Sequence, residues 1–337
     1  MKIRVSSLIS QTASYAFAEV EKQVNALKAK GVQVIDFGVG DPRDPTPAFV
    51  MDALAKGAVA HATSGYPSYE GSPAFRSACA AYMQKTFDVA LNPDTEILAT
   101  IGSKEAVFHF PLGIIERGDI VLCPTPGYPP YKTGTRLAGG VPYFLPLLPE
   151  NDFLIDFESI PDDICKKARI LWTNYPNSPT GATAPRAWLE RLYAWAQKHD
   201  IIIAADEGCY IDLYFGEKPV SMLEVARDGV IAFYSLSKRN NMTGYRIGFC
   251  AGDERLIKAL RTVKTNLDSG VQWFVQEAAI AALNDTKFIE NARKEYGTKR
   301  DIMIKALAGA GLPPCTSDAT FYLWQKAPTG MTGLELA

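Results

Sequence analysis

Lys238 stands in the stretch Ser235-Leu-Ser-Lys-Arg-Asn-Asn-Met-Thr-Gly-Tyr-Arg246, delivered into a polar turn by the β-forming run Val230-Ile-Ala-Phe-Tyr234. A serine lies three residues before it and an arginine eight residues after it. A lysine at the end of a buried strand forms an imine with a carbonyl when desolvation and neighbouring positive charge lower its pKa. A hydroxyl and a guanidinium flanking it suit a phosphate. Imine-forming lysine and phosphate anchor together are what pyridoxal 5'-phosphate requires of a protein. The same residues would also serve as an ordinary surface loop, so the rest of the chain has to decide.

Other loops offer matching chemistry. In open α/β sheets, ligands bind beyond the carboxyl ends of the strands. After the strand candidate Glu96–Ile101 comes Gly102-Ser-Lys-Glu-Ala106, small residues opening a helix whose N–H groups face an anion. After Ile120–Cys123 comes Pro124-Thr-Pro-Gly-Tyr-Pro-Pro-Tyr131, where prolines stiffen a turn that presents Tyr128 for stacking on a heteroaromatic ring. After Ala168–Thr173 comes Asn174-Tyr-Pro-Asn-Ser-Pro-Thr-Gly181, too rich in turn formers to be core. After Ile201–Ala205 comes Asp206-Glu207. A carboxylate at a buried strand end is costly without a cation, and the pyridinium nitrogen of the cofactor is such a cation, as is a protein side chain.

The elements that must position these loops follow from pattern. Further strands are expected at Pro142–Leu145, Val230–Tyr234 and Ile247–Ala251. Several are continuous apolar runs, the mark of strands buried on both faces. Helical patterns such as Ala187–His199 separate them, which predicts an α/β fold with a mostly parallel sheet. A helix is expected over residues 14–30, from Tyr15, Phe17, Val20, Val24 and Leu27, with Gly31 as its stop. A strand is expected at Val32–Phe37, a helix at Phe288–Leu307, and a strand at Thr320-Phe-Tyr-Leu-Trp324.

Composition bounds the function. The 337 residues exceed the usual size of a single core, so a large and a smaller domain are expected. With 47% apolar and 21% charged residues and a net charge of −2, the chain reads as a soluble globular protein with no footprint for nucleic acid or an anionic membrane. Met1-Lys-Ile-Arg-Val-Ser-Ser7 carries no apolar signal segment, and no run is long enough to span a bilayer. Six scattered cysteines without CxxC spacing fit a reduced, cytoplasmic protein. Three separated histidines, His61, His109 and His199, give no metal-ligand pattern, so no metal is expected.

Taken in order, Gly102-Ser-Lys104, Pro126-Gly-Tyr128, Pro176-Asn-Ser-Pro-Thr-Gly181, Asp206-Glu207 and Ser235-x-x-Lys238 with Arg246 resemble the class I/II aminotransferases of pyridoxal-phosphate fold type I over nearly the whole chain. The resemblance implies an α/β fold with a mostly parallel central sheet, helices on both faces, and a smaller α+β domain. It implies an N-terminal arm and part of the small domain at 1–45, a large cofactor-binding domain at 46–290, and the start of a C-terminal small domain at 291–337. Lys238 would carry the cofactor and shuttle a proton. Asp206 would bind the pyridine nitrogen, and Tyr128 would stack on the ring. Ser103, Lys104 through its backbone, Ser235 and Arg246 would hold the phosphate. Tyr66, in Tyr66-Pro-Ser-Tyr-Glu-Gly71, matches the tyrosine that reaches the neighbouring subunit's phosphate, which implies a homodimer with shared sites. Gly40 and Asn177 would lie at the substrate.

Some phrases resemble narrower groups. Gly38–Pro47, Gly102–His109, Leu236-Ser-Lys-Arg239 and Ala319–Trp324 look like N-succinyldiaminopimelate aminotransferases. Asn241-Met-Thr-Gly-Tyr-Arg246, Asn266–Gly270 and Val275–Ile280 look like LL-diaminopimelate aminotransferases. Both imply glutamate as donor and an oxo acid of the diaminopimelate and lysine route as partner, with a distal carboxylate met by Arg43 or Lys104. Aspartate or alanine aminotransferase, a carbon–sulfur lyase and an inert cofactor-binding domain share Lys238 and Asp206.

Three departures stand out. Ser178 replaces the asparagine expected to bond the cofactor 3-hydroxyl; it keeps one donor on a shorter side chain. The tyrosine expected three residues after the aspartate is Tyr210, four after it, so either Gly208 absorbs a bulge or Cys209 faces the ring. No arginine follows Arg300, although the resemblance implies one for the substrate α-carboxylate, and Thr332–Ala337 reads as the first turn of a helix. A fragment of a longer chain is therefore expected.

Overall fold

The computed structural model describes residues 1, 3–10, 16–35, 37–38 and 40–336. Tyr15, Asp36, Val39 and Ala337 lie outside the described residues, as do the side chains of Phe17 and Val20. The chain divides into two compact units, Met1–Pro42 and Arg43–Ala337.

The first unit holds the helix Ala16–Ala29. It ends where expected: Gly31 takes φ +80°, and Val32 N–H donates back to the Leu27 carbonyl. The strand expected at Val32–Phe37 is absent among the described residues of that segment. Val32, Ile35 and Phe37 are exposed, so no burial selects a register for them.

The second unit is built on a seven-stranded sheet of β1 (Ile97–Thr100), β2 (Ile120–Thr125), β3 (Val141–Pro146), β4 (Ala168–Thr173), β5 (Ile202–Gly208), β6 (Val230–Ser235) and β7 (Gly248–Gly252), in the order β1-β7-β6-β5-β4-β2-β3. Every pairing is parallel except those of β7, which runs against both β1 and β6. Alternate residues serve opposite faces. Ile97, Leu122, Ala205, Ala232 and Phe249 join one apolar cluster, while Leu98, Val121, Ala204, Ile231 and Cys250 join the other. Helices Pro73–Phe87 and Trp273–Asn284 contribute to the first cluster, and Ser103–His109 and Glu254–Thr265 to the second. Burial on both faces explains why these strands read as unbroken apolar runs.

The lone reversed strand shapes the site. Six strands bring their carboxyl ends to one edge, and β7 brings its amino end to that same edge. Gly248 pairs with both Thr100 and Ser235. The turns after β1 and β6 and the residues before β7 therefore meet there.

The strand expected at Thr320–Trp324 is also absent. Thr320 has φ +70°, which breaks an extended run. Ala319 makes an isolated bridge to Tyr214, and Phe321 and Tyr322 fold over Tyr210 at ring separations of 5.3 and 5.8 Å. The expected helix near 288–307 is present as Lys287–Gly309. Among the described residues no helix is long and apolar enough to cross a membrane, and no group of His, Cys, Asp or Glu is arranged to hold a metal ion.

Gly208 does absorb an extra residue. Ala205 pairs with Ala232 and Gly208 with Tyr234, so three steps on β5 match two on β6. A Cβ at Gly208 would collide with the ring and Cα of Tyr234, itself fixed against Phe249 at 4.7 Å. Gly208→Ala is expected to destabilise the protein by about 1–3 kcal/mol through overpacking. Urea unfolding checks this, and an unchanged midpoint would mean the bulge does not need glycine.

Candidate active site

At the edge where Gly248 pairs with Thr100 and Ser235, separate segments meet around a candidate phosphate cradle. Gly102 turns the chain with φ +71° into the helix Ser103–His109, and a side chain at Gly102 would fill the position of the Arg246 guanidinium. Arg246 itself takes the left-handed conformation, φ 53°, and donates to the Thr243 carbonyl at 2.9 Å. Ser103 is buried, and its N–H lies beside Gly248. Ser235 caps the short helix Leu236–Arg239 by accepting from Ser237 N–H at 3.2 Å. Hydroxyls, helix N–H groups and a guanidinium thus converge as an anion site. Lys104 is exposed on the first turn of its helix.

Lys238 sits in that four-residue helix, partly buried, with Nζ 5.8 Å from the centre of the Phe321 ring. Asp206 is 5% exposed. Its Oδ2 accepts from Tyr131 OH at 2.7 Å, and its Oδ1 has no hydrogen-bond partner among the described residues. Burial raises its carboxyl from 3.8 to about 6, against the opposing pull of the Tyr131 hydrogen bond. Glu207, one residue on, turns to the other face and accepts from Ser221 Oγ, from Met222 N–H at 3.0 Å and from Tyr234 OH at 2.7 Å. The period of two separates a satisfied carboxylate from one with an open oxygen.

Tyr128 meets Tyr131 edge to face at 5.9 Å, and Tyr131 stacks on Trp172 at 4.7 Å. Asn174 donates to the Asp206 carbonyl at 2.5 Å and accepts from Ser178 N–H at 2.9 Å. It therefore ties the turn after β4 to the end of β5. Ser178 hydrogen-bonds Tyr210, whose hydroxyl lies 3.3 Å from that of Tyr322. The bulge thus keeps Tyr210 beside Ser178, and both side chains after it face the site. Cys209 Sγ lies 3.5 Å from Ser103 Oγ, hydrogen-bonds Ser235 and feels Asp206 and Lys238. Burial pushes its thiol up to about 12, so it is a neutral S–H.

Asn177 was expected at the substrate. It is 1% exposed, and its Oδ1 accepts from both the N–H and the hydroxyl of Thr180, at 3.2 and 2.7 Å. Its carboxamide is engaged in holding the loop. Gly40 belongs to the first unit. Tyr66 is 86% exposed on the second. Sequence reasoning gave no role to Tyr131, Asn174 or Tyr322. Tyr131 was legible as a second tyrosine three positions beyond Tyr128, and Asn174 as the first polar residue after the β4 run, level with Asp206. Tyr322 gave no local signal.

The residues fit pyridoxal 5'-phosphate. A buried carboxylate oxygen without a partner matches a ring N–H⁺, and the missing side chain at Gly102 makes room for the Arg246 guanidinium, a group that suits a phosphate.

Comparison with known proteins agrees. Residues 32–331 match the family described as aminotransferase class I and II. The LL-diaminopimelate aminotransferase of Aquifex aeolicus is 47% identical over 325 residues, 95% of this chain and 84% of that protein. The enzyme of the same name from Dehalococcoides mccartyi is 41% identical, over 99% of this chain and 87% of its own. Among solved structures, apo BacF of Bacillus subtilis superposes with a TM-score of 0.94 at 32% identity, covering 98% of this chain and 85% of that one. A probable N-succinyldiaminopimelate aminotransferase of Thermus thermophilus gives 0.87 at 30% identity, covering 94% and 86%.

The raised Asp206 carboxyl has a stability signature. The unfolded chain ionises this group near 3.8 and the folded chain only near 6, so folded stability falls as pH rises from about 4 to about 6. The loss is on the order of 3 kcal/mol and is complete above that window. Asp206→Asn should remove this part of the slope from the cofactor-free chain and raise its melting temperature at pH 7. Urea titrations at several pH values read the difference; superimposable pH profiles would show that Asp206 is solvated or paired.

Proposed function

The chain belongs to the class I and II aminotransferases, and on that premise we propose that it moves an amino group between glutamate and an oxo acid of the diaminopimelate route, with LL-diaminopimelate as the preferred partner. The family is pyridoxal-phosphate-dependent. The observation that carries the chemistry is the open oxygen of buried Asp206. The choice of substrate rests on relatives at 41–47% identity, which bear the name LL-diaminopimelate aminotransferase.

When bound, the cofactor supplies a carbonyl for amino groups and a pyridinium ring that delocalises the electrons of a broken Cα–H bond. The protein supplies everything else. Asp206 Oδ1 would accept from the ring nitrogen and favour its protonated form. Tyr131 and Asn174 hold Asp206 in place. Lys238 Nζ would hold the cofactor and move a proton at the substrate α-carbon. Ser103, the Lys104 backbone, Ser235 and Arg246 bind the phosphate, and Tyr128 stacks on the ring. Ser178 and Tyr210 together would meet the 3-hydroxyl, with the Ser178 hydroxyl standing in for the carboxamide. Arg43 and Lys104, both exposed, would meet a distal substrate carboxylate.

The working unit in this reading is a homodimer in the cytoplasm, with Tyr66 reaching the partner's phosphate site. The exposure of Tyr66 supports that role. Residues 46–290 would form the cofactor-binding domain, and residues from 291 the beginning of the small domain. Sedimentation should give twice 36.8 kDa, and a monomer at working concentration would exclude the shared site.

Lys238→Ala should abolish borohydride-fixable attachment of the cofactor while leaving the fold intact; attachment persisting at another lysine would overturn the assignment. Substrate choice is read by comparing kcat/KM for LL-diaminopimelate, N-succinyl-LL-diaminopimelate, aspartate and alanine with 2-oxoglutarate. LL-diaminopimelate should lead. A lead for aspartate or alanine would remove the pathway reading, and release of pyruvate and sulfide from cysteine would point to the lyase.

A further inference from the structure

The residue after Lys238 is the most heavily bonded cation near the site, and the mechanism above does not use it. Arg239 is 5% exposed. Its Nε donates to Asp212 Oδ2 at 2.8 Å, and its two terminal nitrogens reach Asn240 Oδ1 at 2.8 Å, the Ala282 carbonyl at 2.6 Å and the Asp285 carbonyl at 3.1 Å. The guanidinium also lies 5.2 Å from the Tyr82 ring centre, and Tyr82 OH donates to the same Asp212 oxygen at 2.8 Å. One side chain thereby joins four pieces. They are the helix Leu236–Arg239, the segment that follows the β5 bulge, the carboxyl end of the helix Trp273–Asn284 and the helix Pro73–Phe87.

A four-residue helix does not hold its own shape, because a single turn fixes more dihedral angles than its hydrogen bonds repay. The helix carrying Lys238 is of this kind, with Ser235 as its cap at one end. Its other end needs an external anchor. Arg239 suits that role, because its donors are set in a rigid plane and it faces carbonyls at a helix carboxyl end, where positive charge is favoured. Asp212 lies six positions after Asp206, in the same segment as Cys209 and Tyr210. The pair Arg239–Asp212 therefore links the lysine's helix to the strand that carries the ring-binding carboxylate.

We propose that Arg239, through its buried pair with Asp212, is a positioning residue that sets the reach of Lys238 Nζ toward the cofactor carbonyl carbon. The inference rests on the assignment of Lys238 made above. It separates two quantities that a merely structural ion pair would change together: the affinity of the phosphate cradle and the speed with which the lysine captures the aldehyde. The hydrogen bonds of Arg239 go to Asp212, Asn240, Ala282 and Asp285, while Ser235 of the cradle caps the opposite end of the helix.

The test uses the full chain freed of cofactor. Equilibrium binding of pyridoxamine 5'-phosphate, which has no aldehyde, reads the cradle. The rate of borohydride-fixable attachment of pyridoxal 5'-phosphate, located by peptide mapping, reads Lys238. Asp212→Asn and Arg239→Met should leave pyridoxamine phosphate affinity unchanged and slow capture by on the order of 100-fold, the penalty of a small misplacement of a reacting group. Arg239→Lys, with a point charge in place of the planar fork, should fall between. Arg239→Met strands Asp212 as a buried unpaired charge, so the double replacement Arg239→Met with Asp212→Leu supplies a well-folded comparison; it should show the same slow capture. Capture at the wild-type rate in the double variant, or an equal loss of both quantities in every variant, overturns the inference and leaves Lys238 assigned. Absence of capture at Lys238 in the wild-type chain overturns the cofactor reading and this inference with it.

Discussion

Burying a carboxylate with one oxygen unanswered is unfavourable, and much of the second unit is arranged around doing so. Asp206 lies near the carboxyl end of β5, a strand covered on both faces, so water does not relieve it. Tyr131 satisfies one oxygen and is itself locked by Trp172. Asn174 takes the backbone carbonyl of the same residue. Each neighbour fixes where the open oxygen is and none neutralises it. Such a site is stable only because the core beneath it is large, and it gains most from a ligand that brings a cation to that point.

The reversed strand solves a separate geometric difficulty. The proposed phosphate site draws on residues from three places in the chain, and a wholly parallel sheet would leave the residues before β7 at the far edge. Running β7 against β1 and β6 brings Gly248 level with Thr100 and Ser235, so that Arg246 arrives where Gly102 leaves room for it. The cradle is thus a property of strand direction as much as of residue type.

Most of this was legible in the sequence, because the strands are buried on both faces and announce themselves as apolar runs, and the site follows their ends. Lys238, Asp206, Ser103, Ser235 and Arg246 were each proposed by reading the residue after a run or its spacing from the lysine, and the fold brings their segments to one edge of the sheet. The failures share a cause. Val32–Phe37 and Thr320–Trp324 are apolar and β-prone, yet the first is exposed and the second folds as an aromatic cluster over Tyr210. Propensity alone does not say whether a neighbouring strand is present to pair with. The resemblance implied a place at the substrate for Asn177, and spacing did not show that its Oδ1 also accepts from Thr180. The direction of a loop side chain depends on local hydrogen bonds that spacing does not encode. Tyr322 lies more than a hundred positions from Tyr210, and only the folded chain brings them together.

The bulge between Ala205 and Gly208 has a consequence for how such a chain tolerates change. A ladder keeps count by hydrogen bonds, not by residues, so one extra residue that loops out is invisible to the pairs on either side of it. The strand before the bulge and the segment after it are therefore adjustable in length independently. Here the added length leaves Tyr210 beside Ser178 and turns a neutral thiol toward the cradle. An extra residue in the ladder beside a candidate site thus adds a wall group without disturbing the pairs on either side.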